Sequence, residues 1–423
     1  MHDLKDIRTR SDYYKENLSK RDASYVALVG DVISADLKKR EIQTKADELR
    51  KRKNQIADEI PKCKNDKDKI ETLKAESTDI SSKLAEIEKS ELDLTYALEE
   101  KLMQLPNLVT EEVPDGKEES QNIEVLKWGN PRNEKWIKPH WEIGKDLGIL
   151  DFERGVKIAQ SRFTVMSGIG AKLERALINF MLDNAGRNGY TEIFPPVLVN
   201  RDSMIGTGQL PKFEGDFYKC ENELLYLIPT AEVSLTNLHR DEVISIEKLP
   251  IKYCAYTPCF RREAGAASKD TRGIIRQHQF NKVELVKITT PESSKNELDG
   301  LTHDAEEILQ KLELPYRMVV HCAGDLGFCA MYGYDIEVWF PSQNCYREIS
   351  SCSNFGSFQA RRINIKYKPT AKDKPQFAHT INGSGLAIGR TLAAILENYQ
   401  TEKGTVLVPK ILQAYLNNLK EIA

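Results

Sequence analysis

The chain lacks any Cys-x-x-Cys pair; its eight cysteines stand apart at positions 63, 220, 254, 259, 322, 329, 345 and 352. This scatter excludes a zinc knuckle and a disulfide framework, and predicts reduced, largely buried thiols. Seven histidines form no metal-spaced cluster. No apolar run reaches the length of a membrane span, and the opening Met1-His-Asp-Leu-Lys-Asp has acidic side chains where a leader would have an apolar core. A membrane segment, a signal peptide and a transit peptide are therefore not expected, and the expected location is cytoplasmic. An excess of positive charge is also missing: at a net charge of −3, nucleic-acid binding would have to rest on a local patch. With 423 residues, 40% hydrophobic and 30% charged, the chain falls in the soluble globular class, with length for two or three domains.

Glycine is missing from Leu37 to about Leu105, and Pro61 is the only proline before Pro106. Within that stretch Ile42, Leu49 and Ile56 recur every seven positions, beside a weaker series of Ala46, Lys53 and Ile60. Beyond Pro61, Leu73, Ile80, Ile87 and Leu94 interleave with Ile70, Leu84, Leu98 and Leu105. These are heptad seams on two helices joined by a turn at Pro61, which predicts an antiparallel coiled-coil hairpin over about 37–105, each arm projecting roughly 40 Å. Basic groups repeat along it: Lys38-Lys39-Arg40, Arg50-Lys51-Arg52-Lys53, and Lys62, Lys64, Lys67 and Lys69 at the tip. Taken alone these are equally the solvated flanks of a coiled coil or a surface that tracks RNA phosphates.

From Pro106 to about Pro139 the chain turns Pro-, Glu- and Gly-containing, which predicts a linker, assigned to 111–165. A further domain is expected over 166–423. Leu173, Leu177, Phe180 and Met181 predict a long helix ending near Asn188-Gly189; the Gly168-x-Gly170 pair inside it lacks the strand and third glycine of a dinucleotide loop. Tyr190–Val199 reads as a strand interrupted by Pro195-Pro196. Short apolar runs follow at 217–218, 224–228, 252–260, 279–287, 317–320, 334–340 and 347–353, with helices near 292–312 and 386–399. Strands returning through hairpins predict an α+β domain built on an antiparallel sheet flanked by helices.

Four segments carry chemistry. Phe260-Arg261-Arg262-Glu263 and the run to Phe280 and Glu284 place cations, carboxylates and an aromatic ring around a glycine-punctuated turn, with Arg261 and Glu263 on one strand face and Arg262 on the other. Such a set suits a nucleotide: guanidinium forks match phosphate, a carboxylate accepts from an amino group, and Phe280 can stack on a base. Taken alone the same residues also describe a solvated ladder of salt bridges. Thr230-Ala231-Glu232 offers a hydroxyl and a carboxylate for an ammonium group. Glu348-Ile349-Ser350-Ser351 ends an apolar strand with oxygen donors suited to a hard cation held with phosphate. Asn382-Gly-Ser384-Gly leads to Gly389-Arg390, tight glycines before a helix with an arginine in its first turns.

In this order the segments resemble the three signature motifs of class II aminoacyl-tRNA synthetases, and most closely those of the seryl-tRNA synthetase family. Tyr190–Val199 is similar to motif 1, Phe260–Glu263 to motif 2, and Gly385–Arg390 to motif 3. Pro229-Thr-Ala-Glu232, Thr271–Phe280, Glu348–Phe355, Phe358-Gln-Ala-Arg-Arg362 and Asn382–Gly385 are its specific strings, and the resemblance spans the whole chain, arm included. It implies ATP-dependent attachment of L-serine to tRNA(Ser) through a seryl-adenylate, with tRNA(Sec) as an open second acceptor. Arg261 would hold the α-phosphate, Glu263 the adenine amino group, Phe280 the adenine ring and Arg390 the γ-phosphate; Arg262, Ile349 and Ser350 are counted with the ATP site. Glu348 and Ser351 would bind Mg²⁺. Thr230 and Glu232 would take the serine ammonium, with Ala231 between them counted in the serine site, and Glu284, Asn382 and Ser384 would line the pocket for its side chain. The resemblance further implies a homodimer without membrane association, in which the arm, within residues 1–110, reads the long variable arm of tRNA bound at the other subunit. One departure is Ser268, where the family usually has glycine. The competing expectations are a synthetase-like ligase that loads a carrier protein, which lacks such an arm, and a non-catalytic coiled-coil interaction protein, against which Arg261, Glu263, Glu348 and Arg390 stand intact.

Overall fold

The computed structural model describes residues 1–63, 66–263 and 272–423, so Lys64, Ser268 and Thr271 lie outside the described residues. The chain divides into two compact units, residues 2–106 and residues 107–423 with Met1.

The first unit is dominated by two helices, α1 (Ser24–Glu59) and α2 (Lys67–Gln104), joined by a single turn of 3₁₀ helix at Ile60–Cys63. Helix α1 begins well before the expected residue 37, because the single Gly30 is tolerated within a helix at a cost of about 1 kcal/mol. At 1.5 Å per residue each helix is roughly 55 Å long. Asp66 caps α2, accepting from the Lys69 amide at 3.0 Å. The expected seam is what the hairpin buries: Ala46, Ile56, Leu73, Ile80 and Leu84 cluster, with Leu49, Ile60 and Ile87 beside them. Polar clasps flank it, Arg52 to Glu76 at 2.7 Å and Gln43 to Glu91 at 2.7 Å, with Arg50 to Glu88 at 3.4 Å. Two of the basic residues singled out in the sequence are thereby spent on holding the hairpin, whereas Lys38, Lys51, Lys62, Lys67 and Lys69 are exposed.

The second unit is built on an eight-stranded sheet. In chain order its strands are β1 (Ile123–Trp128), β2 (Thr191–Glu192), β3 (Ile251–Phe260), β4 (Gln279–Thr289), β5 (Tyr316–Val320), β6 (Tyr332–Phe340), β7 (Cys345–Gly356) and β8 (His379–Ala387). Their order across the sheet is β1-β5-β6-β7-β8-β4-β3-β2. Every pair is antiparallel except β2 with β3. The α+β architecture expected from the hairpin pattern is the one observed. Helices α3 (His140–Asp146), α4 (Ile169–Arg187), α5 (Ser294–Lys311) and α6 (Ile388–Asn398) accompany it, and Leu173, Leu177, Phe180, Leu301, Ile308, Leu392 and Ile395 form the main core with Val283, Leu285 and Cys352 from the sheet.

Several local expectations give way to tertiary context. The stretch expected as a linker at 111–165 contributes β1 to the sheet edge and α3 to the core; its prolines and glycines punctuate short elements that gain stability from packing rather than from their own length. Pro195-Pro196 splits the expected strand at 190–199 into β2 and a separate strand, Leu198–Asn200, paired in another sheet, since proline cannot donate to a ladder. Phe217-Tyr218 forms no strand. The glycines at 383 and 385 belong to β8, not to a loop; a Cβ on Gly383 would stand 2.4 Å from Leu301 and 2.7 Å from the Cys352 sulfur, so glycine is required by the close packing of helix α5 on the sheet. All eight cysteines are free thiols, and among the described residues no helix is long and apolar enough to cross a membrane.

Candidate functional site

The sheet has two unlike faces, and side-chain alternation sets which residues share each. On β4, Val283 and Leu285 enter the helix-packed core, which turns Lys282 and Glu284 to the opposite face. On β8, Gly383 faces the core side while Asn382 and Ser384 face the other, and on β7 Cys352 is in the core while Ser351, Ser353 and Phe355 are not. The opposite face floors a cavity of about 350 Å³. It brings together Thr230, Glu232, Arg261, Glu263, Phe280, Glu284, Glu348, Ile349, Ser351, Asn382, Ser384 and Arg390, drawn from six separate stretches of chain.

Three other expected site residues do not line it. Ala231 packs with Leu235, Ala255 and Val286. Ser350 is buried and donates to the Ser384 carbonyl at 2.7 Å, so it braces a lining residue. Arg262 is exposed, with its amide bonded to the Asp216 carbonyl at 2.9 Å. The separation of Arg262 from Arg261 and Glu263 agrees with the alternation argument, although β3 ends at Phe260 and Glu263 adopts a left-handed φ of +50°.

One end of the cavity is a buried polar triangle. The Thr230 hydroxyl donates to Glu284 Oε2 at 2.8 Å and accepts from Lys282 Nζ at 2.9 Å, and Lys282 pairs directly with Glu284. Asn382 Nδ2 donates to the other oxygen of Glu284 at 3.0 Å, and Ser384 is its cross-strand neighbour. Lys282 was missed as a functional residue; its signal in the sequence is the Lys-x-Glu spacing, which puts both groups on one strand face. Glu232 accepts from Gln359 Nε2 at 2.6 Å, and the Gln359 carbonyl oxygen accepts from Thr380 at 2.7 Å. Burial, reinforced by the charge of Glu284, lifts the Glu232 carboxyl to about 7.

The other end is cationic. Arg261 lies with its guanidinium carbon 5.2 Å from the Phe280 ring centroid. Glu263 pairs with Arg276 at 2.8 Å, and both line the cavity. Arg390, in the first turn of α6, donates to the Ile275 carbonyl at 3.1 Å and the Glu348 carbonyl at 2.6 Å, and stands 3.6 Å from the Glu348 carboxylate. The pairing of β6 with β7 slips one residue opposite Ile349, a bulge that brings Glu348 and Ser351 to the same cavity although three positions separate them. Glu348 keeps 47% of its side chain exposed in the open cavity. Desolvation would raise its carboxyl, but the charges of Arg390, Arg261, His321 and Lys282 together outweigh that and hold it below its usual range. Asp335, paired across from Ser351, is lifted by burial, and it lifts in turn its partner His321, 2.8 Å away. Glu348 and Ser351 thus offer hard oxygen donors, as a magnesium ion requires. Among the described residues no group of three or more His, Cys, Asp or Glu is arranged to hold a metal by itself, so these donors suit an ion shared with an anionic ligand.

A buried pair outside the cavity fixes its wall. His140 and Glu397 are fully buried; Glu397 Oε1 accepts from the His140 amide at 3.0 Å and from Nδ1 at 2.8 Å, and its other oxygen accepts from the Ser342 amide at 3.1 Å. That leaves His140 Nε2 to accept from the Ile274 amide at 3.2 Å. Gly273 has φ of +78°, and a Cβ there would stand 2.1 Å from Nε2, so only glycine lets the chain pass. Ile274 and Ile275, which line the cavity, are therefore pinned by His140 on one side and Arg390 on the other.

Comparison with known proteins places this geometry in context. Residues 218–399 match the family model of the tRNA synthetase class II core domain (G, H, P, S and T), and residues 1–109 match that of the seryl-tRNA synthetase N-terminal domain. The serine–tRNA ligase of Gloeothece citriformis is 53% identical over 98% of both chains, and that of Rippkaea orientalis 54% identical over 98% of this chain and 99% of its own. Among solved structures, seryl-tRNA synthetase from Pyrococcus horikoshii complexed with ATP superposes with a TM-score of 0.94 at 38% identity, covering 100% of this chain and 99% of its own. From the geometry of the buried pair, His140→Leu removes the ring donor to Glu397, which keeps only its two backbone amides, and leaves the Ile274 amide without its acceptor; it should destabilise the second unit by about 3 kcal/mol, measured by urea denaturation, and a loss below about 1 kcal/mol would show that the pair does not hold the wall.

Proposed function

The chain belongs to the seryl-tRNA synthetase family, the serine–tRNA ligases that join L-serine to tRNA using ATP, and from that premise we propose how its cavity divides between the two small substrates. The cationic end takes ATP. Arg261 holds the α-phosphate, Arg390 the γ-phosphate, Phe280 stacks on adenine and Glu263 accepts from the adenine amino group, with Arg276 keeping that carboxylate in place. Arg262 and Ser350 have no place in this contact set, and Ile349 contributes wall rather than charge. The polar triangle takes serine: Glu232 and Thr230 receive the ammonium group, and Glu284, Asn382 and Ser384 receive the hydroxyl. Lys282 keeps Glu284 and Thr230 oriented. The observation that carries this division is the convergence on one sheet face of two arginines, an aromatic ring and a buried, fully hydrogen-bonded carboxylate.

The reaction then needs no protein nucleophile. A serine carboxylate oxygen bonds to the α-phosphorus and the bond to the bridging oxygen of pyrophosphate breaks, giving seryl-adenylate. A hydroxyl of the tRNA 3′ end next attacks the seryl carbonyl, and AMP leaves. Arg261 and Arg390 act by position and charge on the pentavalent phosphorus and on the leaving pyrophosphate. Glu348 and Ser351 would hold Mg²⁺ together with the triphosphate, where it would offset phosphate charge. A pocket that hydrogen-bonds the serine hydroxyl rejects alanine and glycine, which leave its buried polar groups unpaired, while threonine must be refused by shape.

The helical hairpin supplies the tRNA contact in this proposal. With Arg50 and Arg52 engaged across the hairpin, phosphate tracking falls on the exposed Lys38, Lys51, Lys62, Lys67 and Lys69. Recognition is by the shape of tRNA(Ser), with tRNA(Sec) as a candidate second acceptor, and the working form is a cytoplasmic homodimer. The structure of the Pyrococcus horikoshii relative with ATP supports the nucleotide half of this account.

Arg261→Ala should abolish serine-dependent pyrophosphate exchange, losing about 3–4 kcal/mol of transition-state stabilisation; near-normal exchange overturns the ATP assignment. Because burial and Glu284 hold the Glu232 carboxyl up to about 7, KM for serine should fall as pH rises from 6 to 8, and Glu232→Gln should flatten that slope while raising KM. Removing residues 37–98 should spare pyrophosphate exchange and eliminate tRNA charging; equal loss of both counts against the arm's assignment.

A further inference from the structure

On the far side of Phe280 lies a second cavity of about 270 Å³, which shares Phe280, Gln277 and Gly389 with the first. Phe163 and Met166 line it with Phe280, and its polar wall is Glu174, Asn281, Gln277, Gln279 and Thr164. Glu174 rises from α4 and is only 8% exposed. Its Oε1 accepts from Asn281 Nδ2 at 3.0 Å, while Oε2 is buried with no hydrogen-bond partner among the described residues. Two of the three lining amides are engaged elsewhere: Asn281 Oδ1 accepts from the Tyr256 hydroxyl at 3.3 Å, and Gln277 Nε2 donates to Thr164 at 2.7 Å, while the exposed Gln279 makes no hydrogen bond to Glu174. Among the described residues no lysine, arginine or histidine lines the cavity. A buried carboxylate oxygen left unmatched is costly, and native proteins seldom retain one unless something answers it.

What would answer it follows from the lining. A carboxylate at the base of a pocket walled by two phenyl rings and a thioether is the arrangement that attracts an organic cation, whose charge meets the acid while its carbon skeleton or flat face lies on the rings. An inorganic anion is repelled by Glu174, and a purely apolar occupant would leave its Oε2 unmatched. We propose that this cavity is a binding site for a small organic cation of guanidinium or primary-ammonium type, with Glu174 as its counter-ion. Burial holds the free Glu174 carboxyl up to about 7, the state expected of an acid awaiting its partner. The cation can be a free small molecule or an arginine or lysine side chain of a second copy of this chain, and the site stands whatever fills the larger cavity.

The test uses the full chain at pH 8, with methylguanidinium and agmatine as probes in calorimetric titration and with sedimentation velocity over a range of protein concentrations. Two variants are compared with the unaltered chain. Glu174→Gln removes the charge at nearly constant shape, and Ala171→Leu fills the cavity from an exposed helix position where leucine is well tolerated, so that a folding failure of the first leaves the second informative. A free cation is supported by saturable probe binding that weakens at least tenfold in both variants. A cation from a second copy is supported by self-association that weakens at least tenfold in both variants, with no probe binding to the associated form. Probe binding and self-association that both remain unchanged in the folded variants overturn the site.

Discussion

Burial of Val283 and Leu285 against the helices fixes the direction of Lys282 and Glu284, and most of the cavity follows from that one requirement. A strand cannot present two successive side chains to the same side, so each apolar residue driven into the core commits its neighbours to the far face. Strands β7 and β8 obey the same rule with Cys352 and Gly383 on the core side. A one-residue slip of β4 would exchange the core and the floor of the cavity, and every hydrogen bond to Glu284 would be lost together. The hydrophobic effect thus positions the polar groups of the cavity, although the apolar residues that do so lie on the other face of the sheet.

Where strict alternation would fail the site, the fold departs from it locally. The slip opposite Ile349 lets Glu348 and Ser351 serve one cavity, and the left-handed Glu263 turns a carboxylate inward just after β3 has ended. Both are places where the backbone gives up regularity. They lie at the end of the cavity that carries Arg261 and Arg390, where charge must be gathered from several stretches of chain. The polar triangle at the other end needs no such irregularity, because Lys282, Glu284 and their partners arise directly from regular pairing.

Much of this was legible from residues alone. Heptad spacing gave the hairpin seam, and period-two runs gave the strands that carry Arg261, Glu284 and Glu348. Most of the residues that the motif resemblance singled out line one cavity, since type and order of residues suffice to pick them. What stayed hidden depends on distance in the chain. Lys282 draws its meaning from Thr230, 52 residues away. Gln359 matters through Glu232, 127 residues away. His140 sat in a stretch whose prolines and glycines read as a linker, and its partner Glu397 read as an ordinary helical carboxylate. Ser350 and Ala231 are placed away from the lining for the opposite reason: neighbours in a motif do not share a direction when a strand or a helix turn points their side chains elsewhere.

The bond network of His140 also bears on the order in which the molecule can be made. The helical hairpin is held by contacts between segments adjacent in the chain, so it can close as soon as α2 has been synthesised. The wall of the large cavity cannot. Ile274 leans on a histidine made 134 residues earlier, and that histidine is oriented by a carboxylate made 257 residues later. A growing chain on the ribosome therefore carries a finished arm long before it has a nucleotide pocket, and the pocket closes only after Glu397 has emerged. A truncated product ending short of α6 would retain the hairpin without the cavity.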